Sequence, residues 1–189
     1  TFNGPVFRHS DGWISRFVEN KLVNSTFIGT SGTDWIQNVF VNKQGEVVVV
    51  GVLKEWQELP VSHKFSEEKL DTNGNACMVR LSPELDKILS VTVLGPSWYL
   101  NSAMDDDGNI YIAGTTPSEK FPVSEGAYKT TFNGGKETWA GDVFVCKLSP
   151  KGDELLWSSY LGGSKDESNP VMSLDNENNV VVFLNTTSE

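Results

Sequence analysis

Few residues of this 189-residue chain combine the types and spacing that chemistry needs. A serine or cysteine nucleophile requires a positioned base and a group that orients the base. The two histidines, His9 and His63, lie in polar connectors, and no spacing ties either to a serine or to "NACMVR". They read as surface residues. A glycosidase needs only two carboxylates, and the chain carries 25 acidic residues, but no pair stands apart from the rest. The acidic run "DDDGN" (105–109) resembles part of a calcium loop, in which alternate carboxylates precede a glycine. Asp105 and Asp107 would be its ligands. However, Ala103 occupies the first ligand position and no Glu occupies the twelfth. The corresponding stretches elsewhere read "NKQGE" and "DNENN", and their common denominator is a hairpin turn. A turn is therefore the first reading and calcium the second, with no other cofactor indicated. Cys77 and Cys146 are too few for a disulfide scaffold and read as buried free thiols.

Aromatic residues offer more than titratable ones. Trp13 and Trp157 sit in strand patterns and suit packing between sheets. Trp35 and Trp98 each follow a repeated glycine, where they would cap a turn or face a groove. Trp56 and Trp139 lie in two long connectors, the second of which also carries Tyr128 and Phe132. Aromatics displayed on one rim are what a protein-binding or sugar-binding face uses. The same connectors could instead fold back over their own strands. The sequons at Asn24 and Asn185 fall within strand patterns and read as chance.

The elements that would position these residues repeat. "DGWISRFVENKLVNSTFIG", "NACMVRLSPELDKILSVTVLG" and "DVFVCKLSPKGDELLWSSYLG" each read as strand, polar turn, strand, glycine. The closing glycines are Gly29, Gly95 and Gly162, spaced by 66 and 67 residues. A second two-strand module follows each one: "NVFVNKQGEVVVVGV", "NSAMDDDGNIYIAGT" and "PVMSLDNENNVVVFLN". The connectors repeat as well, with "LPVS" at Leu59 answered by "FPVS" at Phe121, and "TFNG" occurring at both Thr1 and Thr131. Strands are expected near 13–17, 23–28, 36–42, 47–53, 76–81, 88–94, 100–105, 110–115, 142–148, 155–160, 170–174 and 180–185. Four-strand units at a fixed period point to an all-β fold, a β-propeller of antiparallel blades. The whole chain, 1–189, reads as one partial propeller with units near 1–29, 30–95, 96–162 and 163–189. Its order is half a blade, two blades and half a blade. Strand alternation predicts one buried series of Trp13, Ser15 and Phe17, Cys77, Val79 and Leu81, and Phe144, Cys146 and Leu148, with Arg16, Arg80 and Lys147 more exposed.

The phrases "DVFVCKLSPKGDELLWSSYLGGS", "DDDGNIYIAGTT" and "FPVSEGAYKTTFNGG" resemble the bacterial beta-propeller repeat family often called SBBP. The resemblance covers nearly the whole chain and is weaker in "VENKLVNSTFIGTSGTD". It implies a propeller in a secreted or cell-surface setting, and neither an enzymatic activity nor catalytic residues. A non-catalytic binding or assembly module is the leading expectation. A carbohydrate-directed propeller, either lectin-like or part of a polysaccharide-degrading enzyme, comes second, and a structural spacer third. The net charge of −10 disfavours nucleic acid and anionic lipid surfaces. No apolar run approaches the roughly 20 residues of a membrane helix. Three blade-equivalents fall short of a ring, so the remaining blades are expected from further chain or from a second copy.

Overall fold

Runs such as Val47–Leu53, VVVVGVL, are rich in β-branched valines and follow turns led by Asn or Asp, so their backbone groups find partners between segments. The computed structural model describes residues 10–68, 74–134 and 141–189. The protein is all-β: among the described residues the only helical element is a single 3-10 turn at Trp56–Glu58. β1 (Gly12–Val18) and β2 (Lys21–Ile28) form a hairpin. The next elements are β3 (Trp35–Val41), β4 (Val47–Leu53), β5 (His63–Lys64), β6 (Gly74–Leu81) and β7 (Ile88–Ser97). They make one sheet in the order β3-β4-β6-β7-β5, antiparallel except for β5 against β7. β8 (Leu100–Met104), β9 (Ile110–Thr116), β10 (Asp142–Leu148) and β11 (Leu155–Leu161) make a second antiparallel meander in sequence order. β12 (Glu167–Leu174) and β13 (Val180–Thr186) form a closing hairpin. All twelve expected strands are present within a few residues of their expected bounds. β5, too short to show alternation, was not expected.

Three equivalent turns are built alike. Asn42 Oδ1 accepts the N–H groups of Gln44 and Glu46, Asp105 Oδ1 those of Asp107 and Asn109, and Asp175 Oδ1 those of Glu177 and Asn179. This Asx arrangement satisfies the backbone of a tight hairpin and explains why Asn or Asp leads each one. The β1–β2 turn differs. Glu19 (φ 47°) and Asn20 (φ 64°) close it in two residues with the left-handed pair of a type I′ turn. The six-residue loops 82–87 and 149–154 have no counterpart there, which is where the first unit's wording departs.

The sheets stack face to face through three apolar clusters. Ile28, with Ile14 behind it, packs on Val49, Val79 and Val91 of the five-stranded sheet. The opposite face of that sheet, through Val48, Val50, Met78 and Leu94, meets Ile112, Phe144, Cys146 and Leu148 of the meander. The meander's far face, through Tyr111, Val143 and Val145, meets Met172, Val182 and Leu184 of the closing hairpin. Both middle sheets are thus covered on both sides. Val143, Val145 and Met78 are consequently buried along with the expected series. Arg80 and Lys147 are mostly covered too, Arg80 paired with Glu46 at 2.6 Å and Lys147 with Asp105 at 3.4 Å. The expectation for the first strand is corrected: Trp13 and Phe17 are 65% and 64% exposed, because no described sheet lies on that side of the hairpin.

Candidate functional site

Two long connectors carry the aromatic candidates Trp56, Tyr128 and Phe132. Each links the second and third strands of its sheet and runs back along the fourth. Ser62 N–H donates to Val91 O (2.8 Å), and Val91 N–H donates to Ser62 Oγ (3.3 Å). Ser124 and Ser158 repeat this clasp at 3.0 and 3.1 Å. The recurring Pro-Val-Ser phrase is therefore a strap, and it covers an edge strand that would otherwise present unpaired backbone. In the second strap Phe121 stacks on Phe144, ring centroids 4.0 Å apart. Tyr160 Oη donates to Ser118 O (2.8 Å) and accepts the Phe121 N–H (3.1 Å). Burial pushes the Tyr160 phenol up to about 12, so it stays a donor.

Trp56, Phe132 and Tyr128, the expected rim aromatics among the described residues, do not converge. Trp56 is 5% exposed, packed in the cluster beneath the first strap, with Lys64 Nζ 5.7 Å from its ring. Phe132 packs edge-on against Tyr160 at 5.9 Å. Tyr128 stands out at 85% exposed. Trp139, like His9 and the opening "TFNG", lies outside the described residues.

Asp105 serves its own turn and strand. Besides the Oδ1 contacts above, its Oδ2 accepts from Asn109 Nδ2 (2.8 Å) and Tyr111 Oη (3.2 Å) and faces Lys147. Burial alone would raise its pKa, but the Asn109 and Lys147 contacts outweigh burial and hold the carboxyl below its ordinary range. Lys147, with Tyr111 and Asp105 as partners, is correspondingly raised against the opposing effect of burial. Asp107 is exposed. Among the described residues no three His, Cys, Asp or Glu side chains group to hold a metal ion. Cys77 and Cys146 are free, buried and in different clusters. Burial raises both thiols, Cys146 to about 12, so neither is a ready nucleophile.

One buried polar cluster joins the meander to the closing hairpin. Lys129 Nζ contacts Asp142 Oδ2 (3.0 Å), Gly162 O (2.9 Å) and Gly163 O (3.2 Å). Glu167 Oε1 accepts from Thr186 Oγ1 and Ser188 Oγ. The other oxygens, Asp142 Oδ1 and Glu167 Oε2, have no donor among the described residues, and both border the place a Gly162 Cβ would fill. Asp34 holds the equivalent place at the first hairpin, its carboxylate accepting the N–H groups of Thr30 and Lys54. Burial raises its pKa despite these bonds.

The most extensive feature is apolar. On the first hairpin Trp13 stacks on Phe27 at 5.7 Å and shares an open face with Phe17 and Leu22. On the last hairpin Val171, Val181 and Phe183 are exposed. Between β1 and the uncovered part of β3 runs a groove of about 500 Å³, lined by Trp13, Ile36, Val39, Val41 and Val47. Exposed apolar patches of this kind mark association surfaces. Sequence reading missed Val39 and Val41, and also the clasp serines, although the repeated Pro-Val-Ser was visible.

No protein-family model matches the chain, and a search of curated proteins returns no significant relative. No described helix is long and apolar enough to cross a membrane.

Proposed function

We propose that the stacked sheets are blades of a β-propeller and that the chain is a non-catalytic binding and assembly module of a secreted or cell-surface bacterial protein. The observation that carries this is the pair of apolar outer faces on the two end hairpins, one at each end of the stack. Support also comes from the four-strand meanders in sequence order, the face-to-face packing on both sides of each, and the resemblance to bacterial propeller repeats. Electron microscopy of the purified protein tests it. Ring-shaped particles with radial blades are expected, and open rods or isolated globules would reject the ring. A carbohydrate-directed propeller is the second reading, favoured by Tyr128 standing free on its strap. Glycan-array binding that disappears in Tyr128→Ala would establish it, and a blank array would leave protein ligands.

A further inference from the structure

We propose that the β12–β13 hairpin of a second copy of this chain seats beside β1 and pairs antiparallel with it through β13, in the register Val180↔Phe17, Val182↔Ser15, Leu184↔Trp13. The inference rests on reading the meanders as blades and names the partner that completes them.

The register comes from the two sheets that are whole. Val47 of β4 pairs with Leu81 of β6, and Ile110 of β9 pairs with Leu148 of β10. Val47 and Ile110 each follow an Asx turn and lie opposite Val41 and Met104. Val180 holds the same place, after the Asp175 turn and opposite Leu174. Leu81 and Leu148 each stand just past a register shift, after Arg80 and Lys147. Phe17 stands just past the same shift, after Arg16. β13 is thus a second strand with no third beside it, and β1 a third strand with no second among the described residues.

Facing side chains agree with this pairing. Directly opposed residues share a sheet face, so Trp13, Ser15 and Phe17 continue the face of Leu184, Val182 and Val180. That face already packs on the meander through Trp157 and Leu161, and the exposed Trp13–Phe27 stack would extend it there. The opposite face carries Val171, Val181 and Phe183 alongside Ile14, toward the five-stranded sheet. There the exposed Val39 and Val41 lie in the groove beside β1. A single docking covers both end faces and fills the groove. It also sets Arg16 by Asp175 of the second copy, as Lys147 lies by Asp105. A slip of one residue would turn every one of these side chains to the wrong face.

The contact is head-to-tail, and such contacts either close or propagate. Each copy brings two whole sheets and two halves. Two copies therefore give a ring of six blades, inside the usual range of about four to eight.

The test mixes single-cysteine variants of the full chain. Light scattering at low micromolar concentration is expected to give a dimer. Oxidation of Ser15→Cys mixed with Val182→Cys should yield cross-linked dimer at least about tenfold above Ser15→Cys mixed with Val181→Cys, which lies on the other face. The unaltered protein, with Cys77 and Cys146 buried, gives the blank. Phe183→Asp should convert dimer to monomer with its circular dichroism retained. A monomer in the unaltered protein, a dimer without the 15–182 cross-link, or equal yields from both pairs would each overturn the pairing. Particle images judge the propeller separately: rings formed without the 15–182 cross-link sink this inference and leave that reading standing.

Discussion

Replacing Tyr160 with Phe removes one oxygen and leaves the ring packed edge-on against Phe132. That oxygen ties the second strap down twice, donating to Ser118 O at 2.8 Å and accepting from Phe121 N–H at 3.1 Å. Ser118 and Phe121 are both buried, so water cannot replace either contact without opening the strap. A buried group that loses its partner costs about 1–3 kcal/mol. Two such groups give an expected loss of about 3 kcal/mol, or roughly 6–12 °C in Tm for a domain of this size. Urea denaturation followed by tryptophan fluorescence measures the loss, and hydrogen exchange at Ser124, Ser158 and Tyr160 reports whether the strap opens. Tyr111→Phe is the control. Its hydroxyl reaches Asp105 Oδ2 at 3.2 Å, and that oxygen keeps Asn109 and Lys147 as partners, so the cost should stay under about 1 kcal/mol. If Tyr160→Phe costs no more than Tyr111→Phe, the strap is not held by its backbone contacts and the reasoning fails.

The clasp serines should behave alike. Ser62→Ala and Ser124→Ala each leave an edge-strand N–H without its side-chain acceptor, costing about 1 kcal/mol and speeding local exchange about fivefold; unchanged exchange at Val91 and Ser158 would count against the clasp. Glu46 lies below its ordinary pKa because Arg80 hydrogen-bonds it. The stability it contributes is full above the ordinary carboxylate range and is lost as pH falls through the lowered value. Denaturation midpoints from pH 7 to 3 should therefore fall less steeply in Glu46→Gln, and parallel slopes would refute this. Glu167→Gln turns an oxygen without a donor into an amide that can donate to Asp142 Oδ1. It should raise stability by about 1 kcal/mol, whereas a loss of that size in thermal melts would show that both carboxylates are needed charged.

The strands were legible because each carries its own evidence. Val47–Leu53, VVVVGVL, is rich in β-branched valines, and Asn42, Asp105 and Asp175 mark the turns wherever they lead. What alternation could not supply is which faces have neighbours. Trp13 and Phe144 hold equivalent places, yet one is exposed and the other buried, because a sheet packs on only one of them. Val143 and Val145, on the face opposite the expected series, are buried as well because their sheet is covered on both sides. Trp56 looked like a rim aromatic because its connector is polar. The 3-10 turn that tips the indole inward is set by contacts with distant strands, which local sequence does not announce. Of the rim candidates among the described residues, Tyr128 alone stands where exposure on a strap would put it.

Three separate clusters hold four layers together, and each is shared only by adjacent layers. Free energy in such a stack is local to its junctions, as in a one-dimensional array of coupled units. In the single chain, as in the Phe183→Asp monomer, unfolding should accordingly begin by fraying. The outer hairpins each have a single junction to lose, while β4, β6, β9 and β10 sit between two. Amides of the inner strands should exchange only on global opening, and those of β1, β2, β12 and β13 by sub-global events of lower free energy. The molecule would then have a cooperative centre and two wings that detach independently. In that monomer, loosening one wing by mutation should leave the exchange of the other untouched.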